Sequence, residues 1–480
     1  MKYTPQPWAK EWLAEQRANG ERCLEVKVSN GNHYVYRSTS RYDPDVRGPR
    51  KVSEYIGSLD IEKGFVAKTK DARRRAHTVS IKETGTMRLL DACCGDLLGI
   101  LRRRFPDNYD QLYALALMRC IDRTPLRRAL SYWEGFDNFR HLRPAMSPRS
   151  MSDMLRDVGS DRGAQDLVFS DLDMDCRELA MDLSEFFSES GNIPFAEEGY
   201  NADHDGSPQI NIALVCTLDS GIPVMMRMVP GSVRDLKTVC STIKEMGRRD
   251  AVIVADRGFY SDENIDALDS SGMDFVMPVK RNSLLYDRTM VNEYDLFDYR
   301  GRLIRYGKSR FDHHWAYRFK DEAMRMGEEH DAFMRYKEGR LTMEEVENRK
   351  KRMGQIIMVS NMDLPPEDIY LMFKRRDSVE KRFRTFKSVL DADSTYLQDT
   401  MAAFGHVFVT FLSMYAIANL EDRIRKAGLL SRMSAEDVLV EYSKAYAVEL
   451  ESGIVDYEVP KKLEEFDARL GMDIFPILRS

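Results

Sequence analysis

The chain has 480 residues, of which 43% are hydrophobic and 31% are charged, as expected of a soluble globular protein with several domains. No run approaches the roughly 18 uninterrupted apolar residues of a membrane helix, and the opening MKYTPQPWAKEW lacks the apolar core of a secretory signal, so we expect a cytoplasmic protein. The net charge of −6 excludes a uniformly basic chain, and seven cysteines without a CxxC pair predict reduced thiols instead of a zinc site or disulfide framework.

Residues 1–65 are predicted to form a small β-containing unit. The stretch LEVKVSNGNHYVYRS alternates apolar and polar residues around a turn at Asn30-Gly31-Asn32, which is typical of a hairpin. The stretch VSEYIGSLDIEKG predicts a further strand that is followed by a glycine-containing turn.

The next segment, residues 66–165, is predicted to be a helical region whose helices lie within 85–160. Its clearest signal is an apolar stripe with the i, i+3, i+4, i+7, i+8 spacing of an amphipathic helix. That stripe consists of Tyr113, Ala116, Leu117, Cys120 and Ile121. Ser147 and Pro148 then open a further short helix, SPRSMSDMLRDVG.

Basic residues are concentrated in this first third of the chain. Residues 1–150 hold 28 Lys+Arg and 18 Asp+Glu, an excess of ten in a chain whose net charge is −6. Arg73–Arg75 and Arg102–Arg104 are the densest clusters. An excess confined to one region is typical of a surface that contacts phosphates, although for any single cluster a solvated helix face is an equal alternative.

From about residue 166 to residue 280, strands and helices alternate. Strands are predicted in RELAMDLSEF, QINIALVCTL, IPVMMRMV, DAVIVAD and DFVMPVK. Helices are predicted in VRDLKTVCSTIKEMG, before the fourth strand, and in SDENIDALDSSG, which has a Ser or Asp cap and a Gly stop. The order β-β-β-α-β-α-β predicts a mixed α/β layer.

Residues 281–355 are predicted to be an insertion, after which the α/β layer resumes over 356–425. The insertion contains the β-like YRGRLIRYGKSR and the polar helical run TMEEVENRKKRMG. Beyond the strand QIIMVSN, a strongly charged helix is predicted at 366–390 and a more apolar one at 398–425. The tail, 426–480, is predicted to be helical and then irregular.

Two of the apolar strand runs end in an aspartate: ELAMD ends at Asp182 and AVIVAD ends at Asp256. A carboxylate in a buried strand is costly unless it is paired or binds a cation, and α/β folds place their sites at strand ends. If the two strands are neighbours, the repulsion between the two acids would be relieved by a divalent metal. The alternative is that each aspartate is a turn or cap residue, as Asp256 would be in the turn Asp-Arg-Gly.

The charged helix FKRRDSVEKRFRTFKSVL supplies a third acid. Phe373, Arg376, Glu380 and Lys387 follow steps of three, four and seven, which place them on one helix face. A surface helix held by an Arg–Glu pair at i, i+4 would give the same pattern, so spacing alone does not assign Glu380 a role.

Other acidic clusters compete with these residues. Asp171, Asp173 and Asp175 resemble the start of a calcium loop, but Cys176 stands at the position of the glycine and Asp182 at that of the final glutamate. Asp203 and Asp205 lie in the polar stretch NADHDGSPQ and are interpreted as loop residues.

Taken together, these segments resemble the DDE insertion-sequence transposases, and within them the family-four group. The resemblance rests on RELAMDLSEFFSES, AEEGYNADHDGSPQINIALV, IPVMMRMVPGSVRDLKT and IVADRGFYSDENI, and on the Y-x2-R-x3-E-x6-K helix. It is also carried by YLQD, GHVFVTFLSMYAIANL and the N-terminal VSEYIGSLDIEKG. It covers most of the chain and is strongest over 178–280 and 366–420.

The resemblance implies a fold, a chemistry and a set of site residues. It implies an α/β ribonuclease H-like catalytic core with an insertion, preceded by an α+β DNA-binding region. The catalytic and metal-binding residues would be Asp182, Asp256 and Glu380, which would hold two Mg²⁺ (or Mn²⁺) ions. The DNA-binding residues would be Phe373, Arg376, Lys387 and Arg257. Phe373 replaces the usual tyrosine, so a hydroxyl contact to a DNA phosphate is lost while the metal chemistry is unaffected.

The function implied is DNA transposition and recombination by an endonuclease that also joins strands. The partners would be double-stranded DNA, as terminal inverted repeats and target DNA, and a second copy of the chain in a homodimer on DNA. A nucleoid-associated cytoplasmic location would follow. Two alternatives stay open: a ribonuclease H-like nuclease without strand transfer, and a domesticated protein that binds DNA without activity.

Overall fold

The structure is a computed structural model, and it describes most of the chain. The described residues are 5–29, 32–43, 48–61, 63–68, 78–122, 125–172, 176–187, 197–198, 208–230, 240, 251–288, 290–377, 380, 382 and 399–475. Contacts divide the chain into two compact units. The first is Met1–Val79 with Glu449–Ile454, and the second is Ser80–Val448 with Val455–Ser480.

The first unit is built from one helix and one antiparallel sheet. Helix α1 (Pro7–Ala18) precedes β1 (Leu24–Ser29), β2 (Asn32–Asp43), β3 (Gly48–Asp60) and β4 (Gly64–Ala67), which pair in the order β1-β2-β3-β4. The strands appear where the alternation of LEVKVSNGNHYVYRS and VSEYIGSLDIEKG predicts them; the predicted turn residues Asn30 and Gly31 lie outside the described residues. Helix α1, which the sequence reading did not identify, covers one face of the sheet through Ala9, Trp8 and Trp12.

The second unit begins with short helices, as predicted for 85–160. They follow β5 (Thr78–Glu83) and are α2 (Gly85–Cys94), α3 (Leu97–Arg104), α4 (Tyr109–Ile121), α5 (Ala129–Trp133), α6 (Pro148–Ser160) and α7 (Arg162–Asp171). The predicted stripe lies on α4, and Ser147 caps α6 by accepting a hydrogen bond from the Ser150 amide.

The large sheet of this unit contains all the strands that were predicted in the α/β layer. They are β6 (Glu178–Phe187), β7 (Glu197–Glu198), β8 (Pro208–Thr217), β9 (Pro223–Pro230), β10 (Val252–Val254), β11 (Asp274–Pro278), β12 (Val291–Tyr299), β13 (Arg302–Phe311), β14 (His314–Asp321) and β15 (Gln355–Ser360). The order is β12-β13-β14-β15-β11-β10-β6-β8-β7, with β9 also paired to β8. The helix predicted in 233–247 lies outside the described residues except for Cys240, which is helical.

Within the group β9-β8-β6-β10-β11, the middle strand of the antiparallel part, β8, runs against the other four. β6, β8 and β9 are antiparallel neighbours, whereas β10 runs parallel to both β6 and β11. Helix α8 (Asp262–Ser271) joins the two parallel strands, with the predicted caps: Ser261 at its start and Gly272, at φ +70°, at its end. Asp182 therefore lies on β6, and Asp256 lies two residues after β10, the strand that pairs with β6 in parallel.

The segment predicted as an insertion contributes three strands to this same sheet. β12, β13 and β14 form an antiparallel meander whose last strand pairs with β15, and β15 pairs with β11. The helices α9 (Glu322–Lys337) and α10 (Met343–Lys350) connect β14 to β15. The domain boundaries proposed from the sequence, including the limits of the 281–355 insertion, remain predictions.

The C-terminal part contains more β-structure than expected. After α11 (Pro366–Arg375) and α12 (Thr400–Lys426) come α13 (Ala435–Tyr442), β16 (Tyr446–Leu450), β17 (Val455–Glu458) and α14 (Lys461–Leu470). The tail contains helices, as predicted, but the interpretation of the rest as irregular was wrong, because β16 pairs with both β17 and β5 in a small sheet of order β17-β16-β5. Pairing with a strand so distant in the sequence gives no local pattern.

Helix α12 lies at the centre of the second unit. Among the described residues it is the one helix long and apolar enough to cross a membrane, but 89% of its most apolar window is buried inside the protein. Its environment is that of a core helix. It packs most extensively against α6, where Gly405 of α12 and Gly159 of α6 allow the two backbones to meet.

Gly405→Ala is expected to destabilise the protein by about 1–3 kcal/mol or more, since overpacking a tight core forces the backbone to shift. A Cβ at Gly405 would lie 2.0 Å from the carbonyl oxygen of Leu155, which cannot rotate away as a side chain would. Thermal unfolding followed by circular dichroism measures the loss. The matched control is Gly327→Ala in α9, where no atom lies within 4 Å of the added Cβ and helix propensity favours alanine; equal melting temperatures for both variants would contradict the prediction.

Candidate active site

Asp182 lies on β6, and Asp256 lies two residues beyond the end of β10, the parallel neighbour of β6. The last register pair of the two strands joins Val254 of β10 to Ala180 of β6. The interpretation of Asp182 as the end of its strand was wrong: β6 continues to Phe187 because it pairs with β8 over its whole length. β10 does end at Val254, so the part of β6 that contains Asp182 extends past the end of its parallel neighbour.

The third acid, Glu380, lies just beyond α11. That helix ends at Arg375, Arg376 is its C-cap, and Asp377, Glu380 and Arg382 are again helical. The one continuous helix that was predicted is therefore interrupted at Arg376. The interruption leaves the i, i+4 relation intact, since Arg376 donates to Glu380 at 2.5 Å.

Arg376 is in contact with all three acids. Its Nη1 lies 3.9 Å from an Asp182 carboxylate oxygen, and its Nη2 lies 3.4 Å from one of Asp256 and 2.5 Å from one of Glu380. The Arg376 side chain is only 7% exposed, whereas Asp182, Asp256 and Glu380 are 21%, 45% and 50% exposed. One buried cation thus gathers three carboxylates that all remain accessible to solvent.

Three basic side chains tie the segment of Glu380 to the rest of the site. Arg375 pairs with Glu178 of β6 at 3.4 Å. Buried Arg382 donates to the Gly221 carbonyl, in the β8–β9 turn, at 2.8 Å and pairs with Glu421 of α12. Neither Arg375 nor Arg382 was singled out from the sequence, because their partners are distant along the chain. Together with Arg376 they hold this segment against β6, the β8–β9 turn and α12.

The predicted DNA-binding residues have different positions. Phe373 is half-buried against the main core, with the Arg376 guanidinium 5.7 Å from its ring centre. Arg257 directly follows Asp256, in the short 3-10 turn Arg257–Phe259. Lys387 lies outside the described residues. The structure therefore brings Phe373, Arg376 and Arg257 into the neighbourhood of the three acids.

Asp171, the described member of the competing acidic cluster, has a structural partner. Arg104 forms two hydrogen bonds with its carboxylate, at 2.8 and 3.0 Å. These bonds hold the pKa of Asp171 below its usual value. Asp173, Asp175, Asp203 and Asp205 lie outside the described residues. Asp171 joins α7 to α3 and is separate from the three acids around Arg376.

The donor chemistry of the site suits hard divalent cations. Mg²⁺ and Mn²⁺ prefer carboxylate and water oxygens, and the three acids offer such oxygens around one point of positive charge. Among the described residues no group of three His, Cys, Asp or Glu is already arranged around a common ion position, and the Arg376 guanidinium contacts the oxygens concerned. Burial raises the pKa of nearby Cys216 to about 12, so its thiol is neutral at pH 7.

The comparison with known families decides the assignment. A family described as the transposase DDE domain matches residues 172–415, just over half of the chain, and that match includes Asp182, Asp256 and Glu380. The chain belongs to the DDE transposase family. DDE transposases are DNA transposases that generally depend on divalent metals, and the acids around Arg376 lie within the matched domain.

Other comparisons add little to this assignment. A solved piggyBac transposase synaptic complex with hairpin DNA shares 12% sequence identity with this DDE transposase, over 74% of this chain and 70% of that one, with a TM-score of 0.35. That similarity is too weak to transfer any residue or activity. No curated protein matches the sequence.

Proposed function

We propose that this DDE transposase cuts transposon ends and joins them to target DNA, with Asp182, Asp256 and Glu380 as the ligands of two Mg²⁺ (or Mn²⁺) ions. The observation that carries the proposal is the convergence of these three carboxylates on one buried guanidinium. Separated acids that meet at the rim of a mixed sheet are what a metal-dependent phosphodiester site requires. The family-four Y-R-E-K assignment and the ribonuclease H-like core belong to the same proposal, supported by the motifs and by an antiparallel β9-β8-β6 group continued by parallel β10 and β11.

Each residue of the site has a proposed task. Two bound Mg²⁺ ions would stabilise the attacking and leaving oxygens of an in-line displacement at phosphorus. Asp182, the least exposed acid, would contact both metal positions, while Asp256 and Glu380 would each complete one. Arg376, Arg257 and Lys387 would bind DNA phosphates, with Phe373 packing beside them. Water attacks first and frees the transposon 3′-OH, and that hydroxyl then attacks target DNA.

The partners follow from that reaction. The DNA would be the element's terminal inverted repeats and then the target duplex. Joining two ends requires both to be held at once, so we propose a homodimer on DNA, associated with the nucleoid in the cytoplasm. A ribonuclease H-like nuclease would share the first step but would make no joined product, and a domesticated DNA-binding protein would make neither product.

The experiment uses a duplex that carries the ends of the element encoding this chain, together with a supercoiled target plasmid. With Mg²⁺ or Mn²⁺ we expect nicked ends first and joined products later, and with excess chelator neither. Cleavage that proceeds equally well with chelator would overturn the metal proposal. Cleavage without joining, under conditions where paired ends assemble, would instead support the nuclease alternative.

A further inference from the structure

Glu380 lies on a segment that helix α11 alone does not fix in place. α11 ends at Arg375, and the chain turns at the C-cap residue Arg376 before Asp377, Glu380 and Arg382 are helical again. A continuous helix sets the direction of each later side chain, but a turn between two helical pieces leaves that direction open. Among the described contacts, the Glu380 carboxylate has Arg376 as its ion-pair partner, and the side chain is 50% exposed. The position of this carboxylate therefore depends on what holds the segment from another side.

Arg382 holds the segment from the opposite side. Successive residues of a helix are about 100° apart, so Glu380 and Arg382, two residues apart, point away from each other. The Arg382 side chain is accordingly only 10% exposed. Its Nε donates a hydrogen bond to the Gly221 carbonyl at 2.8 Å, and its Nη1 pairs with a carboxylate oxygen of Glu421. One guanidinium, whose donors lie in a fixed plane, thus ties the segment to the β8–β9 turn and to α12.

Both partners of Arg382 belong to well-ordered parts of the second unit. In the β8–β9 turn, the Gly221 amide donates to the Thr217 carbonyl at 2.9 Å, and the Ile222 amide donates to the Thr217 hydroxyl at 3.0 Å. Gly221 has a φ of +66°, which glycine adopts without strain. Glu421 follows the fully buried Leu420 on the core helix α12. Arg382 is therefore connected to two fixed points of the fold.

Stability alone is a weak reason for such a bridge. Removing charges from water is costly, and a well-packed apolar pair of similar size often stabilises a protein as much as a buried ion pair does. A buried pair is better suited to fixing one arrangement of its elements. At metal sites, groups that orient the ligands commonly contribute about 10-fold to 100-fold to metal affinity without touching the ion. The Arg382 bridge has the position that this role requires, because it holds the segment of a proposed metal ligand.

We propose that Arg382 is a positioning residue for Glu380, which it keeps at the metal position that Glu380 would complete. This inference rests on the proposed function, because that function supplies the metal ions. The two aspartates of the site are carried by the sheet, on β6 and after β10, so their places do not depend on Arg382. Without the bridge, the Glu380 segment would lose its contacts with the β8–β9 turn and α12. Binding of one metal ion would then weaken, whereas binding of the other would not.

The test removes the bridge without leaving a buried charge alone. Arg382→Met/Glu421→Met replaces both partners by apolar side chains, a change that folds tolerate better than the loss of one partner. Titration calorimetry of the full-length protein with Mn²⁺ should show two bound ions in the wild type. In the double variant we expect one ion with unchanged affinity and one that binds about 10-fold to 100-fold more weakly.

Cleavage of end-bearing duplex at increasing Mn²⁺ concentrations gives a second readout. The double variant should need about 10-fold more Mn²⁺ for half of its maximal rate. Its rate at saturating Mn²⁺ should stay within about threefold of the wild type, as expected when ion binding is weakened and the transition state is unaffected. Glu380→Gln, which removes the ligand itself, should cleave slowly at every Mn²⁺ concentration. Arg382→Lys keeps the charge beside Glu421 but lacks the planar fork, so its Mn²⁺ requirement should be intermediate.

The matched control is Lys350→Met/Glu329→Met, which removes an ion pair of 3.2 Å between α10 and α9, with side chains 31% and 27% exposed. It should bind both Mn²⁺ ions as the wild type does, even if it melts at a lower temperature. The inference is wrong if Arg382→Met/Glu421→Met, or Arg382→Lys should the double variant not fold, binds both ions as tightly as this control. It is also wrong if cleavage stays lost at saturating Mn²⁺, since that would place Arg382 in the reaction itself. Wild-type cleavage that needs no divalent metal would overturn the proposed function together with this inference.

Discussion

Asp256→Asn is expected to reduce metal-dependent DNA cleavage at least about a thousandfold, which corresponds to a loss of roughly 4 kcal/mol of transition-state stabilisation. Asparagine has nearly the same shape and keeps one oxygen, but it lacks the negative charge that holds a divalent ion. Because Asp256 is 45% exposed, the substitution should leave the fold intact. Initial cleavage rates on end-bearing duplex, with melting temperatures measured alongside, separate the chemical effect from a folding effect.

Asp274→Asn is the matched control for this measurement. Asp274 is 41% exposed and begins β11, the parallel neighbour of β10, so it lies on the same sheet as Asp256 but at the opposite end of the strand pair. We expect near-normal cleavage from it. Asp182→Asn should behave like Asp256→Asn, and Asp171→Asn should not, because Asp171 is bound to Arg104. If Asp256→Asn cleaves within tenfold of the Asp274→Asn control, Asp256 is not a metal ligand.

The sequence predicted the two aspartates of the site for a reason that the structure makes clear. ELAMD and AVIVAD are short apolar runs that lead into an acid, and buried parallel strands produce such runs. The parallel pairing of β6 with β10 then brings Asp182 and Asp256 close enough for both to contact Arg376. These runs could not predict that β6 continues beyond Asp182. The extension depends on pairing with β8, which is a separate segment of the chain.

The role of Arg376 shows the same limit. The i, i+4 spacing predicts its pair with Glu380, since such neighbours meet on a helix. Its contacts with Asp182 and Asp256 join residues on separate elements, and no periodicity encodes them. Strands β2 and β3 are a third case: alternation predicted both, but only the pairing register shows that they extend past the ends of β1 and β4. Local sequence patterns thus predicted the types of element, whereas the contacts of the candidate site depend on pairing between distant segments of the chain.

Arg376→Gln is expected to strengthen metal binding and to weaken DNA cleavage. The guanidinium contacts an oxygen of each of the three acids, and a carboxylate oxygen engaged by a cationic side chain is less available to a metal ion. Removing the positive charge also removes its repulsion of a divalent cation, which at contact distance is worth more than 1 kcal/mol even with strong screening. We therefore expect Mn²⁺ to bind about tenfold more tightly to the variant without DNA. Cleavage should nevertheless fall, because the proposed phosphate contact of Arg376 is lost.

The thermal stability of Arg376→Gln should also show the loss of the positive charge that the three acids share. In Arg376→Gln the three acids lose their shared counter-charge, so the variant should melt a few degrees lower than the wild type in chelator and recover most of that loss when Mn²⁺ is added. Titration calorimetry with Mn²⁺ gives the affinity, and thermal unfolding with and without the ion gives the recovery. Arg375→Gln is the matched control, since Arg375 pairs with Glu178 and with none of the three acids in the described contacts. Weaker Mn²⁺ binding by Arg376→Gln than by Arg375→Gln would mean that the guanidinium organises the metal ligands and does not compete with the metal for them.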